Sequence, residues 1–281
     1  MPAHLALVTD STAYLPQDAV DRHRIEVVPL SVVVGDEVLT DGIEVSPKDL
    51  AEALRAKRRV TTSRPNPETF AAAYRAAAEA GAEGIVSVHL SAELSGTCEA
   101  ARLAAAEAPV PVRVVDSRMV GMALGYAVLA AAEARAAGAD LDAMAEAAER
   151  RAAATHGLFY VDTLEHLRRG GRIGTARALL GSALAVKPLL HLAGGRIEPL
   201  EKVRTASRAI ARLEEIAVER AGEGEVDITV HHLDAEDRAE PLAERLRERV
   251  PGLRELQLVE VGAVIGAHVG PGLLAVVVSV R

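Results

Sequence analysis

Two segments rich in hydroxyl side chains hold the residues best suited to chemistry. The first reads Thr61-Thr62-Ser63-Arg64-Pro65-Asn66, and the second reads Ser91-Ala92-Glu93-Leu94-Ser95-Gly96-Thr97. We interpret both as loops that lead into helices, where small donors and exposed backbone amides readily hold a carboxylate or a phosphate. Together they predict one anion-binding site built from two parts of the chain.

Helix capping is the structural alternative for the first segment. Its three successive hydroxyls precede the prolines Pro65 and Pro67, and one of them could cap the helix that follows. The second segment favours binding more strongly, because Gly96 lets the backbone approach a ligand closely and the next helix points its amide end toward it. Capping stays open for the first segment, and anion binding is the leading interpretation of the second.

A hydrolase with Ser95 as nucleophile is the enzymatic alternative. Such a serine needs a base, which would have to be His89 or His268. A nucleophile elbow also carries glycine two residues before the serine, where this chain has Glu93. The sequence therefore offers a poor nucleophile but does not remove the alternative.

Short polar residues end two apolar strands, at Asp10-Ser11-Thr12 and Asp116-Ser117. Side chains of this kind cap helices and turns. We expect them to cap, and in doing so to fix the loops of a binding site at the edge of the sheet.

The residues predict neither a metal site nor a cofactor. His231 and His232 are adjacent in a strand-like segment, so their side chains face opposite ways and do not converge on one ion. The single cysteine, Cys98, has no partner for an internal disulfide and reads as a small buried residue. A reducing cytoplasm fits this composition.

Positive charge is concentrated in one segment of a chain whose net charge is −8. Residues His166 to Ile197 contain no Asp or Glu, and their cationic side chains are Arg168, Arg169, Arg172, Arg177, Lys187 and Arg196. This pattern predicts a surface for a negatively charged group. Nucleic acid is disfavoured because the rest of the chain is acidic and aromatic residues are only 2%. A phosphate-carrying partner protein or a nucleotide fits better.

Strands alternate with Ala-rich helices along the first half, which predicts a parallel α/β sheet. The predicted strands are Leu5–Val8, Glu26–Val34, Gly84–Val88, Val112–Val115 and Gly157–Val161. The predicted helices are Pro47–Lys57, Pro67–Ala80, Leu94–Glu107, Gly121–Ala137 and Leu141–Ala153. Beyond residue 153, the pattern predicts a hairpin of Ala185–His191 and Arg196–Lys202 through Gly194-Gly195, then helix, strand, helix and two closing strands. We therefore predict two domains, 1–153 with a parallel α/β sheet and 154–281 of mixed α+β type.

The uncharged stretch Val261 to Val280 raises the question of a membrane helix. Pro271-Gly272 interrupts it, and Leu273 to Val280 is β-branched and strand-like. We interpret the stretch as a glycine loop that leads to a buried terminal strand. The N-terminus also lacks a basic region followed by an apolar signal core, so we expect no export and no transmembrane segment.

Taken in order, the motifs resemble those of the DegV family over essentially the whole chain. They are Val8-Thr9-Asp10-Ser11-Thr12, Thr61-Thr62-Ser63, Leu94-Ser95-Gly96-Thr97, Val115-Asp116-Ser117, the run from Leu164 to Ile173, Lys187-Pro188, Arg204-Thr205 and the glycine-framed His268.

The resemblance implies two α/β domains with a long-chain fatty acid, palmitate-like, held between them. Members act as non-catalytic acyl-binding subunits that present the carboxylate to an ATP-dependent fatty acid kinase, which makes acyl phosphate for phospholipid synthesis. It implies a carboxylate site at Thr62 and Ser95, with Ser63, Gly96, Thr97 and His268 beside them. It also implies that Arg168, Arg169, Arg172, Lys187 and Arg204 face the kinase or phosphate, and it allows a transient membrane contact.

Three positions depart from the family pattern. Arg64 and Asn66 replace the glutamine and serine often seen after the Thr-Ser pair, and Cys98 stands where an aromatic residue often follows Ser-Gly-Thr. A regulatory protein that binds another anionic metabolite stays open beside the fatty-acid carrier and the hydrolase.

Overall fold

A computed structural model describes residues 4–179 and 187–281. Its strands are β1 Leu5–Asp10, β2 Ile25–Val28, β3 Ser31–Val34, β4 Glu37–Thr40, β5 Val60–Ser63, β6 Gly84–His89, β7 Val112–Asp116, β8 Thr155–Tyr160, β9 Lys187–Ala193, β10 Arg196–Val203, β11 Val226–Leu233, β12 Leu253–Glu260 and β13 Leu273–Val280. Its α-helices are α1 Gln17–Arg22, α2 Pro47–Arg55, α3 Pro67–Glu79, α4 Thr97–Ala105, α5 Met122–Ala136, α6 Leu141–Ala153, α7 Glu165–Arg169, α8 Ala206–Ala221, α9 Glu236–Arg249 and α10 Ala263–Val269. Short 3-10 turns cover Ser11–Ala13 and Gly174–Leu179.

The chain divides into two compact units. The first comprises Met1–Ser31 and Ser63–Ala153, and the second comprises Val32–Thr62 and Ala154–Arg281. The sequence pattern assigns 32–62 to the first domain, whereas the structure groups it with the second unit. The reason is packing, because α2 of this segment contacts α10 near the end of the chain. One division falls inside the first hydroxyl-rich segment, after Thr62.

The first unit is built on a four-stranded parallel sheet in the order β2-β1-β6-β7. Its core includes Val8 and Ile85 from the sheet and Phe70, Tyr74 and Ala101 from α3 and α4. Helices α5 and α6 also contact the sheet strands. The parallel α/β fold predicted for the N-terminal part is confirmed.

The second unit contains a mixed six-stranded sheet in the order β10-β9-β8-β13-β11-β12. Strands β11 and β12 are parallel, with α9 as the crossover, and the other neighbours are antiparallel. Helices α8 and α9 bury residues such as Leu213 and Leu242 in the core formed with this sheet. The mixed sheet predicted for the C-terminal part is confirmed, and β9 and β10 form the predicted hairpin. Residues 185 and 186 of its first predicted strand lie outside the described residues.

Two predictions about the segment before α3 are wrong. We predicted a single strand over Glu26–Val34, but the structure has two strands there, β2 and β3. Pro29 has no N–H to donate to a neighbouring strand, so the pairing is interrupted at Pro29-Leu30. The hydroxyls from Thr61 to Ser63 lie on strand β5 instead of a loop, in a small sheet ordered β4-β3-β5.

The C-terminal stretch is a short helix followed by a strand. Helix α10 occupies Ala263–Val269, where we predicted a glycine loop, and β13 is the predicted buried terminal strand, paired with β8 and β11. Within 4–179 and 187–281, no helix combines the length and the apolar character needed to cross a membrane. His268 lies on α10, a helix of seven residues.

Candidate functional site

The second hydroxyl-rich segment forms a turn that ends at the start of α4. The amides of Leu94 and Ser95 donate to the Ser91 carbonyl, and α4 begins at Thr97. The predicted helix start at Leu94 is therefore three residues early. Gly96 is the N-cap residue and supplies no side chain to cap the helix. The Ser95 and Thr97 hydroxyls share one hydrogen bond, with Oγ to Oγ1 at 2.9 Å, so one hydroxyl proton of the pair remains for another acceptor.

A buried carboxylate, Asp10, holds the strand that leads into this turn. Its Oδ1 accepts from the Thr12 amide at 3.1 Å and from the Thr12 hydroxyl at 2.5 Å. Its Oδ2 accepts from the Leu90 amide at 3.0 Å and lies 3.0 Å from His89 Nδ1. Asp10 thus caps its own turn, as expected, and also fixes the backbone just before Ser91.

A chain of buried polar side chains continues from Asp10 across the sheet. His89 Nε2 lies 2.7 Å from Ser87 Oγ, and the Tyr74 hydroxyl donates to Ser87 Oγ at 2.8 Å. All four side chains are fully buried. Both ring nitrogens of His89 are engaged in this chain, so His89 does not serve as the base that a Ser95 nucleophile would need.

The second pair of strand-end residues holds the other side of the turn. Asp116 Oδ1 accepts from the amides of Ala92 at 3.2 Å and Arg118 at 2.9 Å. The Ser117 hydroxyl donates to the His89 carbonyl at 2.7 Å. Both strand-end pairs therefore fix the backbone of this turn, as expected, and the binding site itself stays a prediction.

The last residue of the first hydroxyl-rich segment caps α3, and none of its three hydroxyl groups does. Asn66 is the N-cap, and its side-chain oxygen accepts from the Thr69 amide at 2.9 Å. Ser63 Oγ donates to the Arg64 carbonyl at 3.2 Å. Thr62 Oγ1 lies 2.8 Å from His268 Nε2, within the second unit. Capping therefore does not explain Thr62.

The surroundings of His268 set its tautomer. Burial, assisted by the positive charge of Arg172, lowers the pKa of His268 to about 4, so the ring is neutral at neutral pH. Its Nδ1 is buried and has no hydrogen-bond partner among the described residues. A buried N–H without an acceptor is costly, so we assign the proton to Nε2, which donates to Thr62 Oγ1. Thr62 then keeps its own hydroxyl proton to donate to a ligand.

Two reciprocal contacts of glycine with histidine position this ring. A Cβ built on Gly170 would lie 2.1 Å from His268 Nδ1, and one built on Gly270 would lie 2.3 Å from His166 Cδ2. Helices α7 and α10 therefore approach each other with each histidine seated against a glycine of the other segment. Neither glycine has room for a methyl group unless a histidine moves.

The basic segment carries acidic partners in space that its sequence does not show. Arg168 donates to Glu165 through Nε at 2.8 Å and Nη2 at 2.7 Å, and Arg169 Nε donates to the same carboxylate at 2.8 Å. These arginines, Arg168 first, lower the pKa of Glu165 to about 2. Lys187 Nζ lies 3.9 Å from the carboxylate Oδ1 of Asp162 and donates to the backbone carbonyl of the same residue at 3.0 Å. Glu165 and Asp162 precede the predicted segment by one and four residues, so a count that starts at His166 misses both.

The remaining partner candidates differ in exposure. Arg172 is partly buried and donates to the Gly170 carbonyl at 2.6 Å, while Arg204 is exposed. Cys98 is buried, as predicted, and burial raises the pKa of its thiol to about 12. Such a thiol is not a nucleophile at neutral pH.

Sequence reasoning missed the polar chain and the paired glycines. Ser87 and His89 are two residues apart in a strand and share one face, which was a readable signal. The proximity of Gly170 to His268 had no local signal, because 98 positions in the sequence separate them.

Comparison with known proteins gives one consistent result. The DegV family model matches residues 4–281. A DegV domain-containing protein of Streptomyces coelicolor is 68% identical over 281 residues, which is 100% of both chains.

Solved structures of DegV family proteins are also similar to this chain. A DegV family protein from Thermus thermophilus, described in terms of fatty acid binding, has a TM-score of 0.94 and 36% identity over 99% of this chain and 100% of that one. DegV from Bacillus subtilis, described as a fatty acid binding protein, has a TM-score of 0.91 and 33% identity. The match covers 99% of this chain and 100% of that one. Structural neighbours of the chain are thus fatty-acid-binding proteins.

Replacing Gly170 by alanine should destabilise the protein by about 1–3 kcal/mol, because the new methyl group would occupy the space of His268 Nδ1. Urea unfolding measures the change. In a His268→Ala background, the same substitution should cost much less. An equal cost in both backgrounds would mean that His268 is not the obstacle.

His268 should titrate only near pH 4 in the folded protein. Its folded pKa lies below the ordinary value of 6.5, so its contribution to stability is complete above pH 6.5 and is lost as the pH falls toward 4. The chemical shift of the ring Hε1, assigned by comparison with His268→Gln, measures this. A midpoint near 6.5 in the folded protein would contradict the assignment.

Proposed function

The chain belongs to the DegV family, and from this membership we propose that it binds a long-chain fatty acid and presents the carboxylate to a separate ATP-dependent kinase. The protein itself is a non-catalytic carrier that acts in the cytoplasm. It shields the acyl chain and leaves the head group accessible for acyl phosphate formation. The proposed carboxylate ligands are Thr62, Ser63, Ser95, Gly96 and Thr97, with His268 as the residue that positions Thr62.

One observation carries the head-group assignment: the Thr62 hydroxyl lies 2.8 Å from Nε2 of His268, a ring that burial keeps neutral and to whose Nε2 we assign the proton. An oxygen that accepts from Nε2–H is not deprotonated by that ring, so it is not activated for attack. Its own proton is free to donate to a carboxylate oxygen. Thr62 can therefore hold an acid without reacting with it.

The contacts of Ser95 favour the same role over hydrolysis. Its hydroxyl is bonded to Thr97, and His89 is engaged with Asp10 and Ser87. Neither contact removes a proton from Ser95. The hydrolase alternative lacks its general base among these contacts.

The energetics of a fatty ligand divide between its two ends. Burying about 14 methylenes at about 0.8 kcal/mol each contributes on the order of 11 kcal/mol before entropic costs. A hydrogen bond to the carboxylate adds about 1.5–3 kcal/mol. The tail therefore sets the affinity and the hydroxyls set the orientation of the head group.

Arg168, Arg169, Arg172, Lys187 and Arg204 are the proposed contacts for the kinase or its phosphate groups. Arg168 and Arg169 are exposed, and their shared partner Glu165 orients both guanidinium groups. Arg side chains in this state can still accept a phosphate through their remaining N–H groups. Support for this part of the proposal comes from the charge of all five side chains and from the exposure of Arg168, Arg169 and Arg204.

Protein purified gently from cells should carry a fatty acid, which native mass spectrometry and extraction of the ligand would identify. Apoprotein that also fails to bind added palmitate would overturn the proposal. A sugar phosphate or another small anion in place of the lipid would support the regulatory alternative instead.

The double variant Thr62→Ala, Ser95→Ala should still bind lipid but should lose acyl phosphate formation by at least about tenfold, since the head group is no longer oriented. Trapping of acyl phosphate with hydroxylamine, in the presence of ATP and a fatty acid kinase subunit, measures the rate. Ser207→Ala, which removes an exposed hydroxyl on α8, is the control. Full activity of the double variant would show that the head-group residues are wrongly assigned.

Charge reversal of Arg168 and Arg169 to Glu should lower the same kinase-dependent rate about tenfold or more and leave the lipid content unchanged, because the kinase surface is altered and the lipid site is not. Reversal of Arg22 and Arg150, which are also exposed and paired with carboxylates, is the control. If both variants lost the same fraction of the kinase-dependent rate, the cause would be the change in net charge. That result would contradict the assignment of Arg168 and Arg169 to the kinase surface.

A further inference from the structure

Arg64 lies against the turn that carries Ser95 and Thr97. Its Nη1 donates to the Gly96 carbonyl at 3.0 Å. A Cβ built on Gly96 would lie 2.5 Å from Nη1, 3.0 Å from Cδ and 3.1 Å from Cζ of Arg64. The guanidinium therefore occupies the space that any larger residue at position 96 would fill.

The charge of Arg64 is not neutralised locally. Throughout residues 4–179 and 187–281, no carboxylate forms a salt bridge with Arg64, whereas Arg75 on the following helix pairs with Glu68. A guanidinium has five N–H donors and is always protonated in proteins. The Gly96 carbonyl accepts from Nη1 alone, which leaves donors on the other nitrogens.

The surroundings of the guanidinium suit a negatively charged ligand. The Ser95 and Thr97 hydroxyls are on the adjacent residues, and together they retain one proton for an external acceptor. The amide end of α4 has no side-chain cap. Donor hydroxyls, a cation and a helix N-terminus therefore meet at one turn in the first unit, and all three favour an anion.

We propose that Arg64 is the ionic partner of the ligand carboxylate and that it makes this protein discriminate an ionised acid from an uncharged head group. The contact of Nη1 with Gly96 orients the guanidinium, and the remaining N–H groups bind the carboxylate oxygens. This inference rests on the proposed fatty-acid function and adds a specificity residue to it.

A pair of ligands that differ only in the head group tests the proposal. Palmitate and hexadecanol should be compared by isothermal titration calorimetry on wild-type protein, Arg64→Gln, Arg64→Lys and the control Arg75→Gln. Arg64→Gln should weaken palmitate binding about tenfold, which corresponds to one hydrogen bond to a charged group, and should leave hexadecanol binding unchanged. The palmitate affinity of Arg64→Lys should lie between those of wild-type protein and Arg64→Gln. The affinity of Arg75→Gln should match that of wild-type protein.

Salt provides an independent readout. Sodium chloride should weaken palmitate binding more for wild-type protein than for Arg64→Gln, because screening acts on the ionic contact. Equal losses for palmitate and hexadecanol would assign Arg64 a packing role and overturn the proposal. If Arg64→Gln lost no affinity for either ligand, Arg64 would serve only its contact with Gly96. This result would also overturn the proposal. Wild-type protein that binds neither ligand would overturn the fatty-acid function itself, and the role of Arg64 with it.

Discussion

The first unit depends on one buried carboxylate. Asp10 is fully buried at the end of a central strand, and burying a charge is costly unless hydrogen bonds satisfy it. Its oxygens are met by donors from Thr12, His89 and the Leu90 amide. Satisfying Asp10 therefore requires β1 and β6 to end at fixed positions, and it places the turn that begins at Ser91. The polar residues at the strand ends are the structural basis of the candidate site in this unit.

The second unit positions its polar group by packing instead of charge. His268 is seated against Gly170, and His166 is seated against Gly270, so the approach of α7 to α10 orients the ring. Burial keeps that ring neutral, and the neutral ring directs Thr62. The two units thus present hydroxyl groups by different means. In both, the groups around the hydroxyl orient it without activating it as a nucleophile.

Local patterns in the sequence were sufficient for the fold class and for most elements, because alternating strands and Ala-rich helices follow from side-chain periodicity. The same patterns placed Thr62, Ser95 and Asp10 among the polar residues of interest. They failed where long-range packing decides, as with the segment from Val32 to Thr62, whose partners lie in the second unit. The neutralisation of Arg168 by Glu165 was readable in principle, since the two are three residues apart on one helix face.

The proposed fatty-acid ligand would account for the number of polar contacts that support so short a turn, because its two ends make different demands on the protein. An acyl tail supplies affinity wherever it is buried, but it does not fix the direction of the carboxylate. Direction requires donors held in place by their neighbours, such as Asp10 and Asp116 around the turn and Gly170 against His268. The carrier function proposed for this chain would also require that the protein not attack the bound acid. The neutral imidazole at Thr62 and the engaged His89 meet this requirement, because neither removes a proton from the hydroxyl groups proposed to hold the ligand.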